Sequence, residues 1–230
     1  MSQKKKSNTL QKKAKQPSKS DNIWTIFCVI LCLGLLVAAI IAVIPKSPES
    51  EKPSTPNVDA LEKGQYYFAT IDLYDYGKIK VQLDHTEAPI TVENFVKLAK
   101  SGFYEGTSFH RIIKDFMMQG GATIIPEKMP ESIVGEFQAN GYDNNITHKR
   151  GVISMARTSE YNSATSQFFI MQTTKTHLDG KYAAFGYVVE GMDVVDAICD
   201  NIQATDDNGS IDLPDRPVID TVTITVENVS

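Results

Sequence analysis

Cysteine is scarce in this chain, with three residues in all, and its placement excludes a structural role for most of it. Cys28 and Cys32 fall inside one long apolar run, a helical turn apart, which leaves Cys199 alone in the rest of the sequence. No disulfide can form there, so stability has to come from a packed core, and a lone cysteine of this kind is expected to be buried and inert. Metal-ligand spacing is missing as well. His85, His110, His148 and His177 stand far from one another and from any cysteine, so no metal is expected, and His110 and His148 read as structural. No glycine-rich phosphate loop and no internal repeat is present. A net basic balance is also absent from most of the chain. Residues 1–22 hold seven lysines against one acid, Asp21, a balance of +6; the whole chain carries −5, so the remainder carries −11. Phosphate binding needs a basic face, which excludes nucleic acid as a partner of the main domain.

What the chain does contain, near its start, is a run of 22 residues from Ile23 to Ile44 without a charge. At about 1.5 Å of rise per residue a helix of that length crosses roughly 30 Å of hydrocarbon. Trp24 stands where an interfacial anchor belongs, the lysines crowd the near side, and only Lys46 follows closely. The positive-inside rule places the N-terminus in the cytoplasm and the C-terminal domain outside, as a single-pass protein of the cytoplasmic membrane touching lipid through residues 23–44. A cleaved signal peptide would have an apolar region of about 7–15 residues and then small residues at a cleavage site. Ile44-Pro45-Lys46 does not provide that site. Pro45, Pro48, Pro53 and Pro56, among Ser, Glu and Lys, mark an extended linker. The chain thus divides into a basic cytoplasmic tail (1–22), a transmembrane helix (23–44), a Pro-rich extracellular linker (45–62) and a folded domain (63–230).

From Gln65 onward the texture changes to period 2. Residues 66–74 and 77–83 alternate and are separated by Asp75-Tyr76, which predicts a hairpin. A helix is expected from Thr91, which can cap, with Glu93 near the positive end and Gly102 as the stop. Val92, Phe95, Val96 and Ala99 form its apolar stripe. Further strands are expected at 107–113, 116–119, 151–156, 168–172, 183–189 and 218–226, with a second helix near 192–200. Many short strands and two helices predict a mainly β domain, an antiparallel sheet closed into a barrel.

Four segments carry the chemistry. The first is Phe109-His110-Arg111-Ile112-Ile113-Lys114-Asp115-Phe116-Met117-Met118-Gln119-Gly120-Gly121. An arginine among aromatics is costly to hide in a core and suits a pocket that grips a carbonyl. The strand period puts Phe109, Arg111 and Ile113 on one face and His110 and Ile112 on the other, so Arg111 and His110 should not share a pocket. The second segment, Ser166-Gln167-Phe168-Phe169-Ile170-Met171, sets Gln167, Phe169 and Met171 on one face. The third is Gly151-Val152-Ile153-Ser154-Met155-Ala156-Arg157-Thr158, and the fourth runs from His177-Leu178 through Tyr182 to Gly186.

In this order, and over roughly residues 66–226, the four segments resemble the cyclophilins, the peptidyl-prolyl cis-trans isomerases. With the amino-terminal span the chain resembles a bacterial, membrane-anchored form. The resemblance implies an eight-stranded antiparallel closed barrel capped by two α-helices, with the site on its outer surface and no cofactor. It implies Arg111 as the catalytic arginine, assisted by Gln119. Phe116, Met117, Phe169 and Leu178 would line the proline pocket, Gln119 and Gln167 would bind the peptide backbone, and Ala156, Arg157 and Thr158 would border the adjoining groove. His177 stands where members often have a tryptophan that helps bind cyclosporin, so weak or no cyclosporin binding is expected. Tyr182 replaces a pocket histidine but keeps a ring with a hydrogen-bonding tip. Arg157 replaces an asparagine and Ala122 an aspartate. The implied substrates are proline-containing peptides and exported proteins, handled by a monomeric catalytic domain acting as a folding chaperone. The alternative reading is a non-catalytic proline-peptide-binding module or holdase, motivated by the altered rim at Arg157 and His177.

Overall fold

Each of the eight expected strand segments overlaps a strand, and both expected helices form. The computed structural model describes residues 65–228. The expected tail, membrane span and linker lie outside the described residues. The elements are β1 (Gln65–Leu73), β2 (Gly77–Leu83), α1 (Pro89–Lys100), β3 (Arg111–Ile113), β4 (Met117–Gly120), β5 (Val152–Met155), β6 (Phe168–Met171), β7 (Ala184–Glu190), α2 (Met192–Asn201) and β8 (Ile219–Asn228).

All pairings are antiparallel, in the spatial order β3-β4-β6-β5-β7-β2-β1-β8. The expected closed barrel needs correction. The edge strands β3 and β8 form no ladder with each other. Their neighbourhoods meet through single contacts: bridges Ser108–Val218 and Arg111–Ser210, and hydrogen bonds from Phe109 N–H to the Pro217 carbonyl and from Ile219 N–H to the Thr107 carbonyl. Pro217 has no N–H to continue a ladder at this point. The sheet is therefore a curled half-barrel, seamed by isolated bridges.

Strands β5 and β6 are buried at every position because both faces of the sheet are covered. Inward residues Met118, Ile153, Met155, Phe168 and Ile170 join the main core with Phe95, Phe109 and Phe185. Their outward neighbours Met117, Val152, Phe169 and Met171 build a second apolar cluster with Leu178 and Ala184. This second cluster is the bed of the site.

Helix α1 buries Val92, Phe95, Val96 and Ala99, the stripe its spacing predicts. Its start differs from expectation. The helix begins at Pro89, so Thr91 lies inside its first turn and does not cap it. The cap is remote: the buried Glu136 carboxylate accepts the Ile90 N–H (3.0 Å), the Thr91 N–H (2.7 Å) and the Thr91 hydroxyl (2.7 Å). A carboxylate there satisfies orphan donors and opposes the positive helix end. Burial raises the Glu136 pKa from its ordinary value, with the Thr91 hydrogen bonds opposing. Cys199 is buried on α2, and burial together with the nearby Asp200 and Asp196 pushes its thiol up to about 12. It is buried, as expected.

Candidate active site

Strand register lays a row of side chains across the outer face of the sheet. Arg111 on β3 sits opposite Gln119 on β4, Gln119 opposite Phe169 on β6, and Phe169 opposite Ser154 on β5. Directly opposed residues share a face. Phe109 is the exception to the expected alternation. Strand β3 begins only at Arg111, and the irregular chain before it turns Phe109 inward with Ile112, edge-on to Phe168 at 5.8 Å. Ile113 stays on the Arg111 side, against the outer cluster. His110 lines a different cavity from Arg111, so the two residues are separated as expected. The glycine pair has a steric cause. A Cβ at Gly120 would lie 2.9 Å from the Phe109 ring and the Ser108 carbonyl, and Gly121 holds φ at +76°.

A cavity of about 170 Å³ opens on this face. Phe116, Met117, Ala156, Phe169, Leu178 and Tyr182 form its walls and floor, and Arg111, Gln119 and Arg157 supply its polar groups. All nine are residues that the sequence marks as site residues. The other three stand apart from the lining. Gln167 supports Gln119 through a hydrogen bond; Thr158 is exposed, with its hydroxyl donating to Ser163 Oγ (2.8 Å). His177 is exposed at the rim, its ring 6.1 Å from that of Phe116.

Arg111 is held on two edges. Its Nε donates to the Asn208 carbonyl (2.7 Å), and its Nη1 donates to Gln119 Oε1 (3.4 Å) beside the Met117 sulfur (3.8 Å). Gln119 in turn donates its Nε2 to Gln167 Oε1 (3.0 Å). Among the described residues, Arg111 Nη2 and the Gln167 amide nitrogen have no partner, so both donors remain unspent. The Asn208 carbonyl is aimed by a tight turn. Asp206 accepts the Ser210 N–H (2.9 Å) and hydroxyl (2.8 Å), and these bonds hold its pKa below the ordinary value. Gly209 has φ +87°, and a Cβ there would meet the Ile113 side chain at 2.5 Å and the Ile112 carbonyl at 2.7 Å, so only glycine lets the turn lie on β3. Sequence reasoning missed this support. Asp206 to Ser210 carries a turn signal, but an aiming main-chain carbonyl leaves no trace in side-chain identity.

Arg157 is committed largely to its own chain. Its Nε and Nη2 donate to the Lys181 carbonyl (3.0 and 2.8 Å) and its Nη1 to the Thr158 and Ser159 carbonyls (2.8 and 3.3 Å). The guanidinium lies over the rings of Phe137, Tyr161 and Tyr182 at 5.0, 5.1 and 4.8 Å. It therefore clasps the segment bearing Ala156 to the segment bearing Leu178 and Tyr182. Behind the floor, fully buried His148 stacks on Phe169 (6.0 Å, 17°) and meets Tyr182 edge-on (6.4 Å, 79°). Its Nδ1 lies 3.0 Å from Asp179 Oδ1 and its Nε2 lies 3.2 Å from Ser154 Oγ. Burial lowers its pKa, against the opposing pull of Asp179.

The lining holds no carboxylate, thiol, imidazole or amine. What it offers a ligand is hydrogen-bond donation over an apolar bed. Among the described residues no group of three or more His, Cys, Asp or Glu is placed to hold a metal ion.

A family model for the cyclophilin type peptidyl-prolyl cis-trans isomerase/CLD matches residues 68–228. A peptidyl-prolyl cis-trans isomerase of Streptomyces antibioticus is 42% identical over 151 residues, covering 62% of this chain and 89% of the relative. Another, from Dickeya dadantii, is 43% identical over 148 residues, covering 62% of this chain and 76% of the relative. Among solved structures, a cyclophilin type peptidyl-prolyl cis-trans isomerase of Cryptosporidium parvum matches with a TM-score of 0.60 and 28% identity, over 70% of this chain and 98% of that one. A structure of it in the presence of the dipeptide Ala-Pro matches with a TM-score of 0.59 and 29% identity, over 69% of this chain and 98% of that one.

Proposed function

This chain belongs to the cyclophilin-type peptidyl-prolyl cis-trans isomerases and is an enzyme of that class, and we propose that it works through Arg111 on proline-containing segments of exported proteins, at the outer side of the cytoplasmic membrane. The observation that carries the residue assignment is the Arg111 guanidinium, gripped by Asn208 and Gln119 while Nη2 stays unspent beside an apolar cavity.

The mechanism follows from the bond. An X-Pro peptide resists rotation because the nitrogen lone pair is delocalised into the carbonyl, with a barrier of about 18–20 kcal/mol. Rotation localises that pair on the proline nitrogen. A preorganised donor aimed at the nitrogen favours the twisted state over either planar one, which is binding specific to the transition state. Arg111 brings a rigid fork of donors to that task. Phe116, Met117, Phe169, Leu178 and Tyr182 seat the pyrrolidine ring and exclude water, which strengthens the hydrogen bond. The amide of Gln167, held in place by Gln119, takes the peptide backbone. The neighbour studied with Ala-Pro supports a proline-containing ligand. The test is a proline-peptide isomerisation assay on the full chain, with peptide affinity measured on the same preparation. Acceleration of the slow isomerisation is expected; binding without acceleration would leave a holdase.

The location rests on the uncharged run at 23–44 and the lysine excess before it. In this reading residues 1–22 are cytoplasmic, 45–62 are an extended outer linker, and the domain meets clients whose X-Pro bonds isomerise in about tens to hundreds of seconds unaided. Protease added to intact cells or protoplasts should degrade the domain and spare the tail. A protected domain overturns the orientation.

A further inference from the structure

The cavity carries two guanidinium groups and no carboxylate. Neither Arg111 nor Arg157 enters an ion pair among the described residues; the pairs that do form engage Lys78, Lys80, His85, Lys114, His148 and Arg150. Glu160, three residues beyond Arg157, is exposed and reaches neither arginine. Lys181, whose ammonium donates to the His177 carbonyl (3.2 Å), adds a further cation near the same segment. A rim with two guanidinium groups and no carboxylate in the lining thus stands on a chain whose sequence beyond residue 22 is strongly acidic, the nearest acids in the sequence to the Arg111 contact being Asp206 and Asp207 of the turn that holds it.

The two arginines bracket the floor. Arg111 starts β3 and Arg157 follows β5, with β4 and β6 between them in the sheet. Three strand spacings set β3 and β5 about 14 Å apart across the sheet, and Arg157 lies two residues beyond the end of β5. A proline ring seated on Met117 and Phe169 would lie between the two charges, with Arg111 turned to the rotating bond. Arg157 is committed elsewhere: its donors are nearly all spent on carbonyls, and three aromatic rings pin it. It can act on a substrate as a fixed charge, and only weakly as a hydrogen-bonding fork.

Building on the isomerase reading, we propose that Arg157 is a specificity determinant that selects X-Pro segments carrying a carboxylate side chain next to the proline, and disfavours those carrying a cation there. A fixed charge at the rim costs the substrate no ordering of the enzyme side chain, and its attraction is Coulombic, hence screened by salt.

The test uses the full chain and peptides with Glu, Gln or Lys placed immediately before or after the proline. At low salt kcat/KM should fall from Glu through Gln to Lys, with a Glu-to-Lys ratio of about fivefold at one of the two positions. The ratio should shrink toward one near 1 M salt, where the screening length is about 3 Å. Arg157→Lys keeps the charge and should keep the ratio, even where the lost clasp lowers kcat/KM for every peptide. Arg157→Gln should abolish it. The salt series on the unmodified chain needs no variant, so misfolding of Arg157→Gln would not shield the idea. Equal rates for Glu and Lys peptides at low salt, a salt-independent ratio, or a folded Arg157→Gln that keeps the full ratio would each overturn it. Turnover of the Gln peptide without charge preference defeats this inference alone, whereas no turnover of any peptide defeats the isomerase reading beneath it.

Discussion

Replacing Arg111 by alanine should lower kcat/KM for a proline peptide by about 10²–10³-fold, the scale seen when one preorganised transition-state donor is removed. That corresponds to about 3–4 kcal/mol of the barrier at 1.36 kcal/mol per tenfold. The loss should fall on kcat, with peptide affinity nearly unchanged, because the donor meets its acceptor only when rotation has localised the lone pair. The fold should survive. Arg111 sits on an edge strand, is half-buried, and gives up hydrogen bonds to the Asn208 carbonyl and Gln119 and a contact to the Met117 sulfur. No buried charge is left unpaired, so thermal unfolding should move little. Arg111→Lys is the sharper comparison. It keeps a positive charge but cannot donate from Nε to Asn208 while presenting a second donor to the substrate, so only a small part of the rate should return. Isomerisation kinetics and peptide titration on the same samples decide the point. An alanine variant that loses affinity and rate in equal measure would make Arg111 a binding group, and one that keeps the rate would remove it from the chemistry.

The elements and most of the site were legible because they rest on local periodicity and on ordered blocks of residues. The eight expected strand segments each overlap one of the eight strands, and nine of twelve expected site residues line one cavity. What was not legible depends on contacts distant in sequence. Thr91 looked like a helix cap, but the donors of that turn are taken by Glu136, which is 45 residues away. Phe109 looked outward because alternation was extended through residues that are not in a strand. Closure of the barrel stops at Pro217, which offers no N–H, and beyond it the edge of β3 bonds to residues 209–211 instead of β8. Arg157 was expected to border the groove, and only the fold shows its donors spent on Thr158, Ser159 and Lys181.

Removing the His148 side chain, as His148→Ala, should destabilise the domain by about 3 kcal/mol at neutral pH, the sum of a cavity and two stranded polar groups. The ring is completely buried between Phe169 and Tyr182. The Asp179 carboxylate can only accept, so Nδ1 carries the proton, and Nε2 then accepts from the Ser154 hydroxyl. The alanine variant leaves Ser154 without its acceptor and Asp179 with one fewer donor, although His148 N–H still reaches Asp179 at 2.7 Å. The pH dependence gives a second, independent readout. Burial lowers the His148 pKa in the folded chain, whereas the unfolded chain titrates near about 6.5. Above that pH both states are neutral and the group adds no slope. As pH falls through about 6.5 the unfolded chain takes up a proton that the folded chain refuses, so the unfolded state binds more protons and stability drops with pH. His110, whose pKa burial also lowers, contributes in the same direction. Urea unfolding at pH values on either side of 6.5 should therefore show a descending acid limb in the unmodified chain and a shallower one in His148→Ala. The pocket should loosen as well, raising KM more than it lowers kcat, because the ring fixes Phe169 and Tyr182 rather than touching the peptide. Parallel acid limbs in the two proteins would show that His148 is not the group that titrates.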